Sequence, residues 1–130
     1  MKRLLLATAL IAGCDANEQV ALGEKIYAQQ CAACHGANLE GQPDWQKKLP
    51  NGRFRAPPHD DSGHTWHHPD GMLFGITKHG LVPPYAPPGY RSDMPAFAGK
   101  LSDDEIRAVL AYIRSRWSRE VLKHRAEMLK

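Results

Sequence analysis

Residues 31–35 read C-A-A-C-H. Two thiols stand three positions apart, close to one helical turn, and an imidazole follows the second directly. Three chemistries use such a set. A C-x-x-C redox pair needs a strand before it and a βαβ setting. Here a helical pattern precedes the motif, and almost nothing in the chain reads as strand. A zinc site takes thiolates and imidazoles, but a structural zinc site usually draws a second ligand pair from elsewhere. The candidates for that pair lie in His64-Thr65-Trp66-His67-His68, which suit copper as well as zinc. Covalent haem attachment uses C-x-x-C-H as its signature. Two thiols add across the vinyl groups of the macrocycle as thioethers. One turn between Cys31 and Cys34 roughly matches the vinyl separation, and His35 can bring a ring nitrogen to the iron from one face. Of the three, haem attachment explains the spacing.

A low-spin haem iron needs a ligand on its other face, from a methionine or a histidine. Met1 leaves with an N-terminal signal, Met72 falls on a short predicted helix, and Met128 lies in the C-terminal tail. Met94 stands in an extended loop just before the last strongly patterned helix, and Pro95 stiffens the backbone after it. Met94 is the geometric choice. The competing reading is a loop methionine that fills the core.

These residues need elements to hold them. A first helix is predicted from an N-cap at Asn17. Val20, Gly23, Ile26, Tyr27 and Gln30 share one face, and the helix runs into the C-A-A-C-H segment and ends near Gly36. Residues 37–63 hold four prolines and three glycines with little periodicity, and read as loop. A short helix is predicted over residues 69–79, with Pro69 in first position, Gly80 as its stop, and Leu73, Ile76 and Phe74 on its buried face. Residues 81–97 form a proline-rich extended loop. Ser102 and Glu105 then make a capping box. It opens a helix whose Ile106, Val109, Leu110, Ile113 and Trp117 form one apolar stripe. Arg114, Arg116 and Arg119 gather toward its C-terminal end, where the helix dipole favours them. Residues 120–130 are expected to continue as a fraying amphipathic helix through Val121, Leu122, Met128 and Leu129.

A chain of 130 residues, 42% hydrophobic, allows one small core. Ten prolines and eleven glycines make it loop-rich, so a staple such as a bound cofactor is expected. The first residues, M-K-R-L-L-L-A-T-A-L-I-A-G-C, have the layout of an export signal. The apolar run is too short to span a bilayer as a mature helix. Ile11-Ala12-Gly13-Cys14 looks like a bacterial lipobox, with cleavage before Cys14 and acylation of its thiol. Asp15 resembles the signal that retains a lipoprotein at the inner membrane. The expected division is a signal peptide at 1–13, a tether at 14–18, a domain at 19–118 and a helical tail at 119–130. Removing Lys2 and Arg3 from the 17 basic residues leaves 15 against 14 acidic ones, a net charge of +1. Nucleic-acid binding then has little support. An exported chain could join Cys31 and Cys34 as a disulfide, but the histidine beside them points to haem.

Taken together, G-E-K-I-Y-x-x-x-C-A-A-C-H-G, D-M-P-A-F and L-S-D-D-E-I-R-A-V-L-A-Y-I resemble the class I c-type cytochromes, over roughly residues 18–117, here in a monohaem bacterial lipoprotein form. The resemblance implies an all-α fold of three to five short helices, with long Pro/Gly-rich loops around one haem c bound through Cys31 and Cys34. It implies a crossing of the first and last helices at Gly23 or Tyr27 against Tyr112. It implies a bond from His35 to the carbonyl of Pro57 or Pro58, and propionates met by Trp66 first, with Arg55 and His59 behind it. The stretch H-D-D-S-G-H-T-W-H-H-P-D is richer in histidine than the family needs. It reads as a polar loop and helix cap, with an additional copper or zinc site as the alternative. His79 and His124 are expected to face solvent.

With His35 and Met94 as axial ligands, both iron faces close and the sulfur raises the reduction potential. The expected function is one-electron transfer between a redox donor and acceptor. The carrier is expected to be a monomer, not an enzyme, held by lipid on Cys14 at the periplasmic face of the bacterial inner membrane. The alternatives are an electron-entry subunit of a respiratory oxidase or reductase with the tail as docking helix, and a haem-based small-ligand sensor from which Met94 dissociates. Peroxidase chemistry is weaker still, because neither an open iron site nor a distal acid/base group is assigned. Lys47, Lys48, Arg53, Arg91 and Lys100 are candidates to guide an acidic partner, although an ordinary solvated surface explains them too.

Overall fold

A glycine decides where the two main helices meet. In the computed structural model, which describes residues 12–130 and the side chains from Asp15 onward, α1 spans Ala12–Gln30 and packs against α4, Asp103–Ser115. A Cβ on Gly23 would stand 1.9 Å from the Ala108 carbonyl oxygen and 2.9 Å from Tyr112 Cβ. Only a residue without a side chain lets the two backbones approach so closely. One turn along α1, the Tyr27 and Tyr112 rings meet with centroids 5.4 Å apart. The crossing thus uses both Gly23 and Tyr27.

The capping box of α4 is complete. Glu105 N–H donates to Ser102 Oγ at 3.2 Å, and Ser102 N–H donates back to Glu105 Oε2 at 2.7 Å. Ile106, Val109 and Ile113 are buried, with Ala108 and Tyr112 beside them; Leu110 is half-buried. Trp117 lies just past the helix end, yet is buried. These side chains, with Ile26, Tyr27 and Leu39, form the hydrophobic core.

α1 differs from its expected bounds. It begins upstream of Asn17, so that residue is interior and exposed and does not cap the helix. The segment expected as a tether, 14–18, is helical, with residues 15–18 exposed. Nothing in A-G-C-D-A-N forces a break, and Asp15 in the first turn suits the positive end of the dipole. Gln30 is exposed, not on the buried face. The signal expected at residues 1–13 lies almost wholly outside the described residues, and the side chains of the lipobox, that of Cys14 included, are not described.

After α1, Cys31 makes a one-residue turn into the short α2, Ala32–His35, which Gly36 ends. A 3-10 turn at Thr65–His67 precedes α3, Asp70–His79. Pro69 stands at the N-cap, one place before its expected position, and Gly80 stops the helix as expected, with φ +84°. Leu73, Phe74 and Ile76 are half-buried, while Gly75 and Thr77 are the buried residues of α3. Tyr85 explains Gly75: a Cβ there would lie 2.1 Å from its ring, so the proline-rich loop docks onto this helix.

The tail does not fray. α5, Arg119–Met128, is a separate helix whose N-cap Ser118 accepts from Val121 N–H. It packs on the Thr65–His67 turn through a buried Arg125, while Leu122, Met128 and Leu129 are exposed. Among the described residues there is no β-strand, only isolated bridges, and no helix is long and apolar enough to cross a membrane. The fold is all-α.

Candidate haem-binding site

Cys31 N–H closes the last turn of α1 onto the Tyr27 carbonyl at 2.9 Å, and His35 N–H donates to the Cys31 carbonyl at 2.9 Å. The motif is therefore wound as helix, which fixes the stagger of its three functional side chains. Cys31 and Cys34 are free thiols, the first half-buried and the second exposed. Burial, with Cys34 adding to it, pushes the Cys31 thiol up to about 11. Tyr27 Oη donates to the Gly36 carbonyl at 2.8 Å, tying the end of the motif back to α1.

His35 is 7% exposed. Its Nδ1 lies 2.8 Å from the Pro57 carbonyl oxygen, so Nδ1 carries the proton and Nε2 is left with a lone pair. Burial lowers its pKa, and the Pro57 bond pushes weakly the other way. The ring is thus neutral at neutral pH, the form that binds a metal. The partner is Pro57 and not Pro58, whose carbonyl accepts from Thr65 Oγ1 at 3.3 Å. The Pro57-Pro58 corner sits in a cradle. A Cβ on Gly41 would come within 2.4 Å of Pro58 N, and one on Gly63 within 2.1 Å of the Pro58 oxygen. Gly41 N–H also donates to the His35 carbonyl at 2.7 Å.

His59 lies beside this corner. Its ring stacks on His35, with centroids 3.9 Å apart and planes 25° apart. Desolvation, with His35 and His64 nearby, pushes it well below the usual histidine value. Trp66 and Arg55 are each bonded to a backbone carbonyl. Trp66 Nε1 donates to the Asp61 carbonyl at 3.3 Å, and its ring meets His124 of α5. Arg55 donates to the Lys47 carbonyl. Neither makes a hydrogen bond or ring contact with His35, Pro57 or His59.

Met94 belongs to a second cluster, half-buried in a shallow depression with His79, Leu81, Val82 and Tyr90. Its loop is tied on two sides. Phe97 and Ala98 N–H groups donate to the Thr77 and Lys78 carbonyls at the end of α3. Arg53 binds Asp93 and the Ser92 carbonyl, and the Phe54 and Tyr90 rings stack at 5.2 Å. Ser92 Oγ accepts the Met94 N–H at 3.1 Å.

The histidine-rich stretch packs as rings on rings. His64 stacks on Trp45 and stands 5.2 Å edge-on to His68. Among the described residues no three His, Cys, Asp or Glu side chains converge as a metal site. His79 and His124 are exposed as expected. Of the candidate guiding cations, Lys47 and Arg53 are paired with Asp44 and Asp93.

The sequence pattern did not single out Leu39, Thr65, Gly41 or Gly63 for the site. Leu39 is buried with φ +65°. Its carbonyl accepts from His59 N–H at 2.8 Å, so it anchors the loop opposite the motif. A lone aliphatic in the polar run A-N-L-E was the available signal.

The donor set fits a covalently held haem: two free thiols one turn apart, and a neutral imidazole held by Pro57 in its glycine cradle. The family model described as cytochrome c matches residues 20–117. The chain is similar to the cbb3-type cytochrome c oxidase subunit FixP of Bradyrhizobium sp. (strain ORS 278). The identity is 32% over 95 residues, 73% of this chain and 27% of FixP, so the chain spans about a quarter of that relative. It is also similar to cytochrome c6 of Diacronema lutheri, 29% identical over 101 residues, which cover 75% of this chain and 95% of the relative. No solved structure matches. The chain belongs to the cytochrome c family, as a class I c-type cytochrome that carries electrons on a haem c held covalently through Cys31 and Cys34.

Proposed function

We propose that this cytochrome is a periplasmic, membrane-anchored carrier of single electrons, ligated by His35 and Met94. The carrying observation is the bond between His35 Nδ1 and the Pro57 carbonyl at 2.8 Å. It holds a neutral imidazole in one tautomer directly after the second attachment thiol. When bound, haem supplies an iron that gains and loses one electron. The work of the chain is to hold it. Cys31 and Cys34 keep the cofactor attached, the Pro57 bond makes His35 a stronger donor, and the loop tied at Ser92, Thr77 and Lys78 steadies Met94. A thioether ligand favours ferrous iron and raises the potential. The lipobox at 11–14 supports the anchor. Lipid on Cys14 keeps the carrier near membrane-bound donors and acceptors and raises its effective concentration there.

The test is the near-infrared spectrum of the oxidised protein, matured with haem from residue 15 onward. The methionine-sulfur-to-iron band is expected, and it disappears in Met94→Ala. A wild-type spectrum without the band, and with high-spin iron, removes Met94 from the iron and with it the closed electron-transfer site.

The similarity to FixP favours a second reading, an electron-entry subunit of a larger oxidase. In that case the protein copurifies with a catalytic partner after mild detergent extraction. A carrier elutes alone.

A further inference from the structure

We infer that His59 is the positioning residue for the iron-binding imidazole: its ring lies flat on His35, and Thr65 holds it there. The Pro57 bond grips the His35 ring at one edge only. A flat partner on its face, 3.9 Å away and 25° from parallel, restrains the remaining freedom, the rotation of the ring plane.

The chain fixes His59 from every side. Its N–H donates to the Leu39 carbonyl at 2.8 Å, and its carbonyl accepts from Trp117 Nε1 at 2.8 Å. Its Nδ1 lies 2.7 Å from Thr65 Oγ1. The one hydroxyl proton of Thr65 goes to the Pro58 carbonyl, so Thr65 accepts and His59 donates from Nδ1. Thr65 is itself buried and sits in the 3-10 turn that Arg125 braces through the Trp66 and His68 carbonyls. A polar ring packed against another ring costs desolvation that an aliphatic side chain would avoid. Thr65 offsets that cost, and what the arrangement gains is a planar surface with one orientation. The plane of an axial imidazole sets how its π system overlaps the iron orbitals, which makes the orientation functional.

The inference rests on His35 binding iron, as proposed above, but does not need Met94. The experiment is proton NMR of the ferric, matured full-length protein, reading the spread of the four haem methyl resonances. His59→Leu fills the space without a flat face. Thr65→Val keeps the volume but frees the His59 ring. Both are expected to shift the four resonances relative to one another. His59→Phe retains a flat ring and is expected to restore most of the wild-type pattern. A wild-type pattern in His59→Leu, or equal displacement by Leu and Phe, overturns the inference. Should His59→Leu fail to mature, an unchanged pattern in Thr65→Val overturns it alone. Loss of the methionine-sulfur band in the wild type overturns the Met94 assignment instead, and leaves the variant comparison readable.

Discussion

Arg125 shows what one side chain can do when its carbon stem and its charge are both used. It is 6% exposed. One guanidinium nitrogen donates to the Trp66 and His68 carbonyls at 2.6 and 2.5 Å, and another reaches Asp70 at 2.7 Å. Its flat head lies over Trp117. Such a fork suits Arg and not Lys. Asp70 also pairs with Arg114. Burial raises the Asp70 pKa, but the Arg114 bond and the charges of Arg114 and Arg125 outweigh it, so the carboxyl is held below its ordinary value of 3.8. A carboxylate depressed in the folded state contributes stability above its unfolded pKa, and that stability is lost as pH falls through the folded value. Asp70→Asn is therefore expected to lower stability at pH 7 by about 1 kcal/mol or less, since this carboxylate is largely exposed. The gap between variant and wild type closes only below about pH 4. Urea titrations of the two proteins at pH 7, 5 and 3 check it; a gap that stays constant to pH 3 removes Asp70 from the acid response. No pattern in the sequence singled out Arg125. The carbonyls it binds lie far away in sequence, so its role was not visible.

At the scale of elements, the helices were more legible than the loops. The capping box and the stripe of α4 follow from local spacing, and they hold because both signals sit within one helix. Asn17 misled, because a capping side chain is also tolerated in an exposed helix interior when nothing upstream breaks the helix. The contact between α1 and α4 makes a sharp prediction. Gly23→Ala forces a methyl against backbone, and is expected to cost about 1–3 kcal/mol or more. Gly71→Ala is the control: it lies in α3 with nothing within 4 Å of its new Cβ, and is expected to stabilise by about 0.5–1 kcal/mol. Thermal unfolding of both variants checks the pair. Equal effects would mean that helix propensity, and not the close approach, governs Gly23.

Across the whole molecule, three chain segments meet at the attachment site: the motif at the end of α1, the 56–65 loop, and Trp117 after α4. Small domains of this kind need a staple, and here haem c serves as both staple and redox centre. The anchor is the part of the proposal that acts on the molecule as a unit. Cys14→Ser is expected to move the protein from the membrane fraction to the soluble periplasmic fraction, because it removes the acylated thiol. Immunoblots of both fractions decide it; an unchanged membrane fraction would place the attachment elsewhere in the chain.

The sequence by itself determined the cofactor and its attachment residues, because Cys31, Cys34 and His35 lie within one five-residue segment and their spacing is set by one helical turn. It also determined the two main helices, whose patterns are local. Only the tertiary structure decided which proline meets His35, that both Gly23 and Tyr27 make the crossing, that the tail docks, and that a second histidine lies on the first. Each of those contacts joins residues distant in sequence. Each depends on the path of a loop, which is set by packing and by hydrogen bonds to other segments and leaves no periodicity to read.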